Sequence, residues 1–283
     1  MKLLVCSLFL LFATVARAED PFKIDHSQVI PIDSKILGRR YEAYVKTPPG
    51  YDAPQNRNRT YPVLYMTDGA YTFQVASGVT MVPFNHDRLK EFILVGISNA
   101  VGEDPGKART RDLTPWSVPK YGTTGGAAPY LNFIKSELMP TVEGRFRIDP
   151  HDRVLSGQSF GGLFGLWVLF NDPGLFNSYI LTSPSIWYDH HALFASEADY
   201  SRTHKDLKAK LYLTVGQMET PGECSFCTAN MVGDVKTMAD RLRSRKYPGL
   251  ELKSEVIPGT YHETTFPVGL IKGSQWLFLD DGD

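Results

Sequence analysis

Cysteine is scarce in this chain. Three occur among 283 residues, at Cys6, Cys224 and Cys227. A small fold stapled by disulfides is thereby excluded. Apolar residues make up 42% of the chain, enough for a sizeable core. Charge of one sign is also lacking: 30 Lys and Arg stand against 31 Asp and Glu. With no basic stripe in the sequence, nucleic-acid binding is not expected. Cys and His are nowhere spaced as a zinc ligand set, so no metal or other cofactor is expected. There is no internal repeat and no low-complexity tract, and no apolar run reaches the roughly 20 residues that a spanning helix needs.

The longest apolar run, residues 3–15, follows Lys2 and ends at Ala16-Arg17-Ala18. A basic start, a short apolar stretch and an A-x-A site read as a secretory signal peptide cut after Ala18. Cys6 lies within the run without the small-residue lipobox of a lipoprotein. One domain is then expected over residues 19–283, exported to the periplasm or secreted. In such an oxidising compartment Cys224 and Cys227 are expected to form a short local disulfide. Free thiols, or a redox or metal site, are the alternatives. No thioredoxin-like βαβ context surrounds the pair, and two further zinc ligands are missing.

Along the mature chain, Val29-Ile30-Pro31-Ile32 and the alternating stretch from Arg40 to Thr47 read as strands. Pro62-Val63-Leu64-Tyr65-Met66 and Phe92-Ile93-Leu94-Val95-Gly96-Ile97-Ser98 are continuous apolar runs, as central parallel strands are. Residues 99–128 are rich in Gly, Pro and Arg without periodicity and read as a long functional loop. Residues 128–142 have helical spacing. Further strands are expected at Ser178-Tyr179-Ile180-Leu181-Thr182-Ser183, within residues 207–215, and at residues 250–257. Helices are expected at residues 231–246 and 264–279. Strands alternating with helices imply an α/β fold, a mostly parallel doubly wound sheet with an antiparallel N-terminal edge.

The chemistry centres on Ser156-Gly157-Gln158-Ser159-Phe160-Gly161-Gly162. Arg153-Val154-Leu155 before it reads as a strand, and the apolar stretch from Leu163 to Phe170 as a helix. Strand, G-x-S-x-G, helix is the setting of a nucleophile elbow, where a sharp turn lifts a serine hydroxyl clear of the backbone. The five-residue pattern alone arises by chance, so these flanks carry the argument. A serine hydroxyl needs a base within hydrogen-bond reach. Of seven histidines, only His262 follows the final strand, where this plan places the base. Glu219 is the first choice for the orienting acid, with Glu223 and Asp234 as runners-up. The oxyanion hole needs two backbone donors, expected from Phe160, next after the serine, and Ala70, after an earlier strand. Arg109, Arg111, Trp116 and Tyr121 on the long loop, with Trp187 near the rim, are candidates to bind an acidic or aromatic substrate.

These residues resemble a known family. Tyr61-Pro62-Val63-Leu64-Tyr65-Met66-Thr67-Asp68-Gly69, Arg109-Thr110-Arg111-Asp112-Leu113-Thr114-Pro115, Phe133-Ile134-Lys135-Ser136-Glu137-Leu138-Met139-Pro140, the Ser159 elbow, Ser183-Pro184-Ser185-Ile186-Trp187 and His262 stand in family order. They are similar to the Putative esterase family of α/β hydrolases, which includes S-formylglutathione hydrolase-like enzymes and siderophore trilactone esterases. The resemblance implies the α/β-hydrolase fold, Ser159 as nucleophile, His262 as base, and oxyanion donors at Phe160 and Ala70. It is closest to the trilactone branch, some members of which resemble a Ser–His dyad, leaving the part of Glu219 open. The expected function is an exported serine esterase acting on a small-molecule carboxylic ester, with a catecholate siderophore as one candidate. Its rivals are a short-chain carboxylesterase or acyltransferase of the same fold and a non-catalytic binding protein.

Overall fold

The computed structural model describes residues 22–223 and 229–279. The stretch expected to be a signal peptide, and the disulfide expected between Cys224 and Cys227, lie outside the described residues. The chain opens with β1 (Ser27–Ser34) and β2 (Arg39–Lys46), followed by β3 (Tyr61–Met66), α1 (Gly69–Val79), α2 (Met81–Asn85) and β4 (Ile93–Ile97). Then come α3 (Pro105–Leu113), α4 (Ala127–Phe133), α5 (Met139–Glu143), β5 (Ile148–Gln158), α6 (Phe160–Asn171) and β6 (Ser178–Thr182). The short turn α7 (Tyr188–His191), α8 (Leu193–Thr203), β7 (Ala209–Gly216), α9 (Met231–Arg245), β8 (Leu250–Ile257) and α10 (His262–Phe278) complete it.

The strands form one eight-stranded sheet in the order β1-β2-β4-β3-β5-β6-β7-β8. β1 pairs antiparallel with β2 and β2 with β4, while every other neighbour is parallel. This is the expected antiparallel edge on a parallel sheet. Successive residues of the central strands face opposite layers, which is why these strands are apolar throughout. Val63 and Tyr65 enter one core with helices α4, α6 and α9, whereas Leu64 and Met66 enter a second with Phe73 of α1 and Phe266 and Leu270 of α10. Among the described residues no helix is long and apolar enough to cross a membrane.

The stretch 99–128 departs from expectation, because α3 lies within it. Asp104 caps the helix by accepting from the Lys107 amide at 2.9 Å, and Pro105 starts it. Only Ala108, Asp112 and Leu113 of α3 are buried, too few to show a period. The helix expected at 128–142 is present but widens into a π segment at Ile134–Leu138. Pro140 has no N–H to give the Ser136 carbonyl, and the wider turn accommodates its ring. Helix α8 was not expected from the sequence, and α10 starts at His262, two residues earlier than its apolar pattern implied.

Candidate active site

The site is assembled where parallel strands end. β3 and β5 are neighbours, with Met66 opposite Ser156. The helices that follow them, α1 and α6, therefore begin side by side. Ser159 sits between β5 and α6 at φ 60°, ψ −117°. A non-glycine residue there stores roughly 1–3 kcal/mol of strain and needs its surroundings to hold it. They do so by three backbone bonds. The Ser159 amide donates to the Thr182 carbonyl at 3.1 Å, and its carbonyl accepts from Leu163 at 2.9 Å and Ser185 at 3.0 Å. Gly157 and Gly161 permit the tight turn, since a Cβ on Gly157 would lie 2.4 Å from the Gly161 backbone.

His262 opens α10, and its carbonyl accepts a hydrogen bond from the Gln158 side-chain amide, one residue before the serine. Its Nδ1 lies 2.6 Å from Oε2 of Glu219. Glu219 is fully buried. Its Oε1 accepts from Ser183 Oγ at 2.6 Å, the Gly216 amide at 2.8 Å and Thr265 Oγ1 at 2.9 Å. Burial works against the charged carboxylate, but hydrogen bonds from His262, Ser183 and the Gly216 amide outweigh it. The carboxyl is held below its ordinary value. With both oxygens bonded, the carboxylate fixes the imidazole ring with Nε2 left for another partner. Asp234, a runner-up for this position, instead meets His191 Nε2 at 3.0 Å.

Ser159 and His262 line one open cavity of about 430 Å³ with Tyr71, Arg109, Gln158 and Glu263. A larger cavity of about 770 Å³ lies beside the other end of α1, against residues 22–26, and contains neither of them. Phe160 is the first residue of α6 and Ala70 the second of α1, so both amides belong to first turns, whose N–H groups lack intrahelical acceptors. Asp68 precedes α1 in a left-handed conformation at φ 57°.

The structure separates the two arginines. Arg109 reaches the cavity wall, where Nε donates to Asp68 Oδ1 at 2.6 Å and Nη2 to the Gln158 carbonyl at 3.0 Å. It thereby ties the turn before α1 to the strand end before Ser159. Arg111 does not join the cavity. Its guanidinium bonds Asp112 at 2.7 Å and also pairs with Glu103. Residues two apart on a helix face different directions, and α3 imposes that on both side chains. Trp187 lines a separate recess, although its ring centroid is 6.0 Å from that of Phe160.

Sequence reasoning passed over three buried hydroxyls. Ser185 Oγ is 3.2 Å from Ser159 Oγ, and Ser183 and Thr265 hold Glu219. The polar run Thr182-Ser183-Pro184-Ser185 at the end of an apolar strand was the available signal, since buried hydroxyls require partners.

A mostly parallel sheet with a serine on the sharp turn after its central strand, and a histidine after its last, defines the α/β-hydrolase class. Residues 34–277 match the model of the family described as Putative esterase, and the chain belongs to that family. It is 26% identical to the ferri-bacillibactin esterase BesA of Bacillus subtilis over 92% of both chains. It is 29% identical to the siderophore triacetylfusarinine C esterase of Aspergillus fumigatus, over 64% of this chain and 65% of that one. Among solved structures it is similar to an IroE-like serine hydrolase from Shewanella oneidensis. There the TM-score is 0.75 and the identity 26%, covering 89% of this chain and 80% of the other.

Proposed function

We propose that the protein is an exported serine esterase that hydrolyses carboxylic esters through an acyl-enzyme on Ser159, with siderophore lactones as its substrate class. The observation that carries this reading is the meeting of Ser159 and His262 in one cavity, with Glu219 bonded to the far side of the imidazole. Nε2 of His262 takes the Ser159 proton as Oγ attacks the ester carbonyl. The carbonyl π pair moves onto oxygen, and the Phe160 and Ala70 amides hold that oxyanion. Collapse expels the alkoxide, which takes the proton from His262. Water, deprotonated by the same imidazole, then releases the acid and restores Ser159.

The siderophore reading is supported by membership of the family and by the relatives named above. Export is supported by the A-x-A site at Ala18 and the short apolar run before it. N-terminal sequencing of the exported protein is expected to begin at Glu19.

The decisive experiment pairs a fluorophosphonate probe with turnover of ferric and iron-free catecholate trilactones, short acyl esters and acyl thioesters. The wild type is expected to be labelled and to favour the trilactones. Ser159→Ala is expected to lose labelling and several orders of magnitude in kcat/KM. Unchanged turnover by the variant excludes the mechanism. A preference for simple short acyl esters excludes the siderophore substrate.

A further inference from the structure

The run Thr182-Ser183-Pro184-Ser185 leaves β6 between the nucleophile and the acid, and it gives one hydroxyl to each. Ser183 Oγ donates to Glu219 Oε1 at 2.6 Å. An ionised carboxylate has no hydrogen to offer in return, so the Ser183 hydrogen is committed there. Ser185 Oγ lies 3.2 Å from Ser159 Oγ, its only hydrogen-bond partner among the described residues. Ser185 is buried, so its hydroxyl has no bulk solvent to turn to.

The backbone fixes where that hydroxyl stands. Ser183 adopts a left-handed conformation at φ 44°, a strained state that persists only where neighbours enforce it. The Ser183 amide donates to the Thr214 carbonyl of β7 at 2.7 Å, and the Ser185 amide to the Ser159 carbonyl at 3.0 Å. The Ser185 carbonyl accepts from the Tyr188 amide at 3.1 Å. Pro184 seats against Gly162 in α6, where a Cβ would lie 2.9 Å from the Pro184 Cα. The elbow, β7 and α6 thus hold Ser185 from three sides.

Two neighbouring hydroxyls share one hydrogen between them, and before reaction either can supply it. During attack that freedom ends. The Ser159 hydrogen must point at His262 Nε2, so the contact survives only with Ser185 as donor. Ser159 Oγ has two lone pairs, one for the ester carbon and one for this bond. A donor fixed beside an oxygen that is gaining negative charge binds the transition state more strongly than the ground state.

We infer that Ser185 is a further catalytic residue, whose hydroxyl donates to Ser159 Oγ while that oxygen carries alkoxide character. The inference rests on the serine-esterase reading and deepens it. Ser185 keeps its own hydrogen throughout. The Ser159 proton passes to His262 Nε2, and an Oγ electron pair forms the bond to the ester carbon. When the acyl-enzyme is hydrolysed, the same donor meets Oγ as the acyl bond breaks and His262 returns the proton.

The test compares wild type, Ser185→Ala and Ser185→Cys in their rates of labelling by a fluorophosphonate and of turnover of an activated short acyl ester, with thermal melts to confirm folding. Ser185→Ala is expected to be about 10- to 100-fold slower in both, through kcat rather than KM. Ser185→Cys keeps a weak donor of similar size and is expected to fall between the two. The acid limb of the kcat/KM pH profile reports the catalytic base and is expected to stay in place in both variants, whereas displacement of the imidazole would move it. Equal or faster rates in folded Ser185→Ala overturn the inference, the faster result marking Ser185 as a restraint on the nucleophile. A shifted acid limb overturns it too, leaving Ser185 a structural part. If Ser185→Ala does not fold, Ser185→Cys at the wild-type rate overturns it. A wild type that is neither labelled nor active fails the serine-esterase reading itself, and the inference with it.

Discussion

Replacing Glu219 by Gln separates a triad from a dyad. The change keeps the size of the side chain and one carbonyl oxygen for the Ser183, Thr265 and Gly216 donors. At the other position it puts an NH₂ where Oε2 now lies 2.6 Å from His262 Nδ1. That NH₂ donates to Nδ1, which drives the ring proton to Nε2, so the imidazole can no longer accept the Ser159 proton. The negative charge opposite the forming imidazolium is lost as well. At a charge separation of about 4 Å and an effective dielectric of about 20, that attraction is worth about 4 kcal/mol, or about three powers of ten in rate. The wrong tautomer extends the loss toward about 10⁴, the scale seen for an Asp-to-Asn change in a serine protease triad. Stopped-flow or steady-state turnover of an activated short-chain ester, with a thermal melt to confirm folding, measures it. A folded variant within about tenfold of wild-type kcat refutes the reasoning and leaves a Ser–His dyad.

The same carboxylate governs acid stability. Its folded pKa is depressed, since the bonds from His262, Ser183 and Gly216 overcome burial. Its stabilisation is therefore complete above the unfolded value of about 4.3 and fades as pH falls toward and through the folded value. Denaturant midpoints are expected to fall more steeply below about pH 4.5 in wild type than in Glu219→Gln; parallel slopes contradict this. Arg109→Met strips the partner from Asp68, so a loss of about 1–3 kcal/mol is expected, between exposed and buried ion pairs. Turnover should fall with it because the turn before α1 loses its tie to Gln158; chemical denaturation and kcat check the two effects, and an unmoved kcat removes the brace. Gly157→Ala forces a Cβ to within 2.4 Å of the Gly161 backbone. Overpacking of about 1–3 kcal/mol is expected, a fall of several degrees in Tm by calorimetry. An unchanged Tm means that the strand and helix separate freely.

The sheet was legible because its central strands are buried on both faces and so are apolar without interruption. The edge was legible for the opposite reason, the alternation of Arg40 to Thr47. That Ser159 and His262 line one cavity was legible from chain order, because strand ends share one rim. Helix α3 was hidden by its composition: Lys107, Arg109 and Arg111 face outward or toward carboxylates, and its single apolar end is Leu113. The signs that it did show, Asp104 as cap and Pro105 after it, are local and small. Missing α3 placed Arg109 and Arg111 together as substrate ligands, when a helix necessarily divides them. The hydroxyls around Glu219 come from two separate stretches, β6's end and α10, and their meeting is a property of packing that no local pattern encodes.

The two outer strands have a consequence of another kind. Among the described residues, neither has a strand paired on its outer side, so each offers a row of peptide groups to any chain that meets it. β1 carries Pro31 in its middle, which removes one donor from the ladder. β8 alternates Glu251, Lys253 and Glu255, so a second copy approaching in either direction must bury charge. A sheet that ends this way resists templated self-association, and concentrated or partly unfolded samples are expected to stay dispersed where an apolar edge would nucleate fibrils.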